Sequence, residues 1–131
     1  MIRAERAMQP ELRAWFVFYT ALLLTATHWP GLTVEGPVDR TDLIIHMCAF
    51  GLWTMLLFGA GLIRVRGRWG LVWTAVAGLC FAVLDETTQP LFSRVFDLWD
   101  LAADCLGVLL AVVLIVIYGR IAGGARLALG E

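Results

Sequence analysis

The chain has 131 residues, of which 60% are hydrophobic and only 16% charged, with a mean hydropathy of +0.80. A water-soluble domain carries about 25% charged residues because its outside must be polar, so a soluble enzyme is excluded. Ten arginines, no lysine and eleven acids leave a net charge of -1, with no basic excess to attract nucleic acid.

Four apolar segments follow in chain order, and their length predicts helices, since membrane strands alternate and run only about ten residues. The first helix is expected over 14–29, ending at the helix-breaking pair Pro30-Gly31. Arg3, Arg6 and Arg13 ahead of it and Thr25-Ala26-Thr27 within it are also features of a secretory leader; the segment is read as a membrane helix. The second is expected over 43–63, interrupted only by His46, and the third over 69–89, passing from an apolar run into Asp85-Glu86-Thr87-Thr88-Gln89 before Pro90. The fourth, over 97–119, opens with Asp97, Asp100 and Asp104. The expected fold is therefore all-α: one domain over 1–131, a compact bundle of four transmembrane helices. The connectors are too short to hold a soluble domain.

Cys48, Cys80 and Cys105 each lie in an apolar run without metal-type spacing and read as small buried hydrophobes. Most of the six tryptophans fall near expected helix ends, as an interfacial aromatic belt requires.

Positive charge accumulates on the cytoplasmic side of membrane proteins. Eight of the ten arginines lie before the first helix, between the second and third, or after the fourth, which puts both termini in the cytoplasm. The opposite, outer face then gathers Asp39, Asp42, His46, Asp85, Glu86, Gln89, Asp97, Asp100 and Asp104, with Arg94 between them: seven of the eleven acids.

Helical spacing aligns these groups. Asp42 and His46 are four apart, Glu86 and Gln89 three apart, and Asp97, Asp100, Asp104 and Gly107 form one narrow stripe. Gly107 would let a neighbouring helix approach closely beneath the acids. The uncharged run before Asp85 is 16 residues, about 24 Å of helix against a hydrocarbon core of about 30 Å. Glu86 and Asp104 are thus expected about a turn below the outer surface, where ionisable groups are costly and are functional or mutually paired. Plainer roles stand beside this: Asp39, Asp42, Asp97 and Asp100 as caps or interfacial anchors, His46 as an interhelical hydrogen bonder. Arg94 is the expected partner of Glu86.

The pattern Asp42-x-x-x-His46-x-x-x-Phe50, Asp85-Glu86-x-x-Gln89, then Arg94 followed by Asp100-x-x-x-Asp104-x-x-Gly107 resembles the VanZ-like family of small polytopic bacterial membrane proteins. That family typically shows Asp-Lys-x-x-His, Glu-x-x-Gln, and Arg followed by Asp-x-x-x-Asn-x-x-Gly. The resemblance covers about 39–119. Two positions depart from it: Leu43 stands where the family has Lys, with Arg40 the nearby base, and Asp104 stands where it has Asn. The resemblance implies a multi-pass protein of the bacterial inner membrane and cell envelope, in a family associated through its namesake with teicoplanin resistance.

Three functional readings stand. In the first, Asp42, His46, Glu86, Gln89, Arg94, Asp100 and Asp104 bind a lipid-linked envelope precursor or a glycopeptide, Arg94 holding an anionic group and the carboxylates accepting from sugar or amine donors. In the second, the protein is a membrane hydrolase or transferase acting on envelope lipids. His46, Glu86 and Asp104 are then candidates for acid–base work, and His46, Glu86, Asp100 and Asp104 for a divalent metal such as Mn²⁺, Mg²⁺ or Fe²⁺, though no cofactor is required by the sequence. In the third, the polar groups fasten the helices of an accessory subunit in a larger membrane complex.

Overall fold

A computed structural model describes residues 2–32, 36, 39–65 and 68–129, with side chains described over 10–122 within those ranges. The described residues form α1 (Ile2–His28), α2 (Thr41–Gly59), α3 (Arg68–Thr88), a 3₁₀ turn (Gln89–Phe92) and α4 (Leu98–Leu129), with no strand among them. α1 begins well before the apolar stretch because the preceding residues are mostly good helix formers, and α4 continues past Gly119 for the same reason.

The helix ends follow from local chemistry. After α1, Pro30 and Gly31 occupy the centre of a type II turn, with Gly31 at φ 72° and Leu32 N–H donating to Trp29 O at 3.3 Å. α2 closes with Ala60 N–H on Leu56 O at 2.8 Å, followed by left-handed Gly61. Asp97 caps α4, its Oδ1 accepting from Trp99 N–H at 2.7 Å, which is the capping role foreseen for it.

α2 is the hub, pairing most extensively with α4 and also packing against α1 and α3. Glycine makes the first pairing possible. A Cβ on Gly107 would collide with the Met47 carbonyl oxygen, and one on Gly51 would lie 3.2 Å from Gly107 O. The close approach expected at Gly107 is therefore made with α2. Gly78 does the same for α3, since its Cβ would meet Val108 Cγ1 at 2.8 Å.

α1 runs the height of the bundle. Arg13 Nε–H donates to Ala60 O at the end of α2, at 3.0 Å, and His28 Nε2 pairs with Thr88 Oγ1 at the end of α3, at 2.9 Å. Between them, Tyr19 O–H donates to Ala49 O and Trp53 Nε1–H to Thr20 Oγ1. Trp53 is thus no belt residue: it is buried in the core, stacked on Phe81 with centroids 4.3 Å apart. The other five tryptophans face outward. Cys48 and Cys80 also face outward and Cys105 is half-buried, so the cysteines are not the buried hydrophobes expected. Cys48 and Cys80 lie on helix faces turned away from the narrow core, whereas Cys105 packs against its edge.

The interior is polar and the exterior apolar. Of the eight largest fully buried side chains, six are polar: Gln89, Glu86, Thr54, Thr74, Asp85 and Asp104. The long apolar side chains of α4, such as Leu109, Val113 and Leu114, point outward. In water this would expose a very large apolar surface; in lipid it is the stable arrangement. Segments Thr41–Gly59, Arg68–Phe92 and Leu98–Ala122 are long and apolar enough to cross a membrane. Among the described residues α1 is not, because Glu11 and Arg13 delay its apolar stretch and Thr20, Thr25, Thr27 and His28 dilute it.

Candidate functional site

The start of α2, the end of α3, the start of α4 and the end of α1 meet at one end of the bundle, and their polar side chains form two connected groups. The deeper group centres on α3 and α4. Asp85, Glu86 and Asp104 are all buried, and each offers a carboxylate oxygen no more than 4.8 Å from those of the others. Gln89 Nε2–H₂ bridges two of them, donating to Asp85 Oδ2 at 3.2 Å and to Glu86 Oε2 at 3.0 Å. The three-residue and four-residue spacings from Gln89 back to Glu86 and Asp85 put these groups on one helix face.

Each carboxylate also reaches another element. Glu86 Oε1 accepts from the Asp97 backbone N–H at 2.6 Å, and Asp85 Oδ1 from Thr27 O–H at 2.8 Å. Asp104 Oδ1 lies 2.9 Å from His46 Nδ1. Facing a carboxylate, Nδ1 is the protonated nitrogen, which leaves Nε2 turned toward Asp100 Oδ2 at 3.8 Å.

The second group lines a cavity of about 450 Å³ between α1 and α2. Asp42, His46, Arg94 and Asp100 stand at its polar end, and Leu22, Leu23, Ala26, Ile45, Ala49 and Phe50 form its apolar walls. Glu86, Gln89 and Asp104 do not line it; His46, which bonds Asp104, and Thr27, which bonds Asp85, line the cavity and join it to the deeper group.

The cations are placed differently from expectation. Arg94 does not pair with Glu86: its Nη1–H donates to Leu32 O at 2.7 Å, tying the connector after α3 to the one after α1. Glu86 is instead satisfied by Gln89 and the Asp97 backbone. Arg40 is the base that meets the acids, with Nη2 at 3.0 Å from Asp97 Oδ2, 3.6 Å from Asp42 Oδ2 and 3.8 Å from Asp100 Oδ1. It reaches them from a left-handed backbone position, φ 58°, at the start of α2.

Sequence reasoning gave no site role to α1. Thr27 binds Asp85 directly, and His28 Nδ1 lies 3.7 Å from Asp85 Oδ1. The available signal was a Thr and a His side by side in the last turn of an otherwise apolar helix, at the level where the acids of the other helices gather.

No curated protein and no solved structure matches the chain. A family model described as VanZ/LLP1 matches residues 14–119, a span that contains all four apolar segments and every polar residue of the two groups. The chain belongs to the VanZ/LLP1 family.

Proposed function

We propose that this is a multi-pass protein of the bacterial inner membrane that binds a lipid-linked, sugar- or amine-bearing envelope molecule, or a glycopeptide, at its outer face. The observation that carries this reading is the amphipathic cavity between α1 and α2. Its volume of about 450 Å³ falls within the usual range of ligand sites, about 300–1,000 Å³. An apolar chain has Leu22, Ile45 and Phe50 to lie against, while a head group meets Arg94 as an anion partner and Asp42 and Asp100 as acceptors. Both termini are cytoplasmic by the placement of the arginines, and α1 is a fourth crossing. Its contacts from Arg13 to His28 cover the height that α2 and α3 cover, so it shares their depth.

Native mass spectrometry of the detergent-solubilised chain tests this with a lipid-linked saccharide and, as control, a phosphatidylethanolamine of similar chain length. The saccharide lipid stays bound to the wild type and is lost from Arg94→Ala and from Ala26→Trp, which fills the cavity. Equal retention of both lipids by all three proteins would sink the reading.

A second reading, a hydrolase or transferase acting on envelope lipids, is favoured by one arrangement. His46 lines the cavity with Nδ1 held by Asp104 at 2.9 Å, the orientation a general base requires. Turnover of the bound lipid, abolished in His46→Gln, distinguishes catalysis from binding alone.

A further inference from the structure

Asp85, Glu86 and Asp104 carry three acidic groups into the interior of the bundle, each side chain essentially without solvent contact. Among the described residues, no arginine lies within 4.0 Å of them: Arg40 pairs with Asp42, Asp97 and Asp100, and Arg94 stands at the cavity with its Nη1–H on a backbone carbonyl. Only the imidazoles His46 and His28 approach, at 2.9 Å from Asp104 and 3.7 Å from Asp85. A buried carboxylate is accommodated by taking up a proton or by a compensating charge of the other sign.

A second observation is independent of the clustering of acids. Asp104 Oδ2 and Gln89 Oε1 are both buried and have no hydrogen-bond partner. Gln89 Oε1 belongs to the amide whose nitrogen faces Asp85 and Glu86, and a half-turn about the last side-chain bond would exchange the two atoms and present the oxygen to the group. Asp104 Oδ2 is thus an acceptor without a donor inside a group of three buried carboxylates that no arginine reaches, and a cation is what such a group lacks.

We propose that Asp85, Glu86 and Asp104, with Gln89 Oε1, bind one hard divalent cation of the Ca²⁺, Mn²⁺ or Mg²⁺ class. The all-oxygen donor set excludes soft-metal chemistry. Spacing agrees with the size of such ions. Two oxygens on one ion are separated by at most twice the metal–oxygen distance, about 4.1 Å for Mg²⁺ and about 5 Å for Ca²⁺; the carboxylate oxygens here lie within 4.8 Å of one another, inside the Ca²⁺ limit, and a smaller ion would draw them closer. His46 is not a ligand in this arrangement. It holds Asp104 through Oδ1, leaving Oδ2 to the ion, as the hydrogen-bonded carboxylates of metal sites commonly do. The cation would fasten α3 to α4 directly behind the cavity, fixing the position of His46 at its polar end.

The test is Mn²⁺ titration of the full chain in metal-free detergent, followed by electron paramagnetic resonance, with no lipid ligand present. A negative result would therefore leave the lipid-binding reading standing. The wild type and Asp39→Asn, an exposed acid outside the group, bind one Mn²⁺ per chain, displaced by Ca²⁺. Asp104→Asn and Glu86→Gln weaken binding at least about 10-fold. Absence of saturable binding by the wild type, or unchanged binding in both folded variants, would overturn the proposal. If those variants do not fold, Gln89→Glu decides: a carboxylate in place of the orphaned amide oxygen tightens Mn²⁺ binding if the ion is there, and unchanged or weaker binding overturns the proposal.

Discussion

His46 on α2 and Asp104 on α4 face each other at 2.9 Å between Nδ1 and Oδ1, with the Asp104 side chain wholly buried. This pair connects the cavity to the interior carboxylates, since His46 belongs to the cavity wall and Asp104 to the carboxylate group. A double-mutant cycle with His46→Ala and Asp104→Ala is expected to give a coupling of about 1–2 kcal/mol, the upper range for interhelical hydrogen bonds in membranes. Reversible unfolding in mixed micelles measures it, and strictly additive losses would show that the two side chains do not act together.

The approach of α2 to α4 makes that pair possible. Gly107→Ala puts a methyl group against the Met47 carbonyl and is expected to cost about 1–3 kcal/mol by overpacking. Gly119→Ala, on the same helix with nothing within 4 Å of the added Cβ, is expected to leave stability unchanged or raise it by up to about 1 kcal/mol through helix propensity. Thermal unfolding of the two variants side by side checks the contrast.

That contrast also shows which features the sequence makes legible. Gly107 falls in register with Asp97, Asp100 and Asp104, so both the stripe and its close-packed base can be read from spacing alone. The helical class and the number of helices follow from apolar run lengths in the same way. Partner choice does not. Arg94 is nearer in sequence to Glu86 than Arg40 is, yet the 3₁₀ turn and left-handed Ser93 after α3 carry its guanidinium to Leu32. Arg40 meets Asp97 across 57 positions of chain. Trp53 illustrates the same limit: in a helix apolar all round, periodicity cannot separate the core face from the lipid face, so its stacking on Phe81 is not visible in the pattern. Thr27 and His28 carry no such signal, because the last turns of α1 contain no acid.

The two arginines at the polar end of the bundle should separate functionally. Arg40 is about two-fifths exposed, so Arg40→Ala is expected to cost less than about 1 kcal/mol and to leave lipid retention intact, because Arg40 does not line the cavity. Arg94→Ala is expected to lose the lipid-linked ligand while retaining helical circular dichroism. Loss of binding in Arg40→Ala alone would move the anion partner out of the cavity.

Orientation is open to a direct check. A green fluorescent protein joined to the C-terminus is expected to fluoresce, and an alkaline phosphatase in the same place to be inactive, with the same outcome at the N-terminus. Active phosphatase at one terminus only would mean that α1 does not cross, and would place the Asp85 and Glu86 end relative to the membrane by the remaining three helices.

The central claim, an amphiphile seated between α1 and α2, is tested most directly by photo-cross-linking from inside the cavity. A photoreactive phenylalanine analogue replaces Leu23, which is buried and lines the cavity, or Leu114, which faces outward from α4. In membranes carrying a lipid-linked saccharide among bulk phospholipid, the Leu23 position is expected to give an adduct with the mass of the saccharide lipid and the Leu114 position only phospholipid adducts. The same mixture of adducts at both positions would contradict a specific site between α1 and α2.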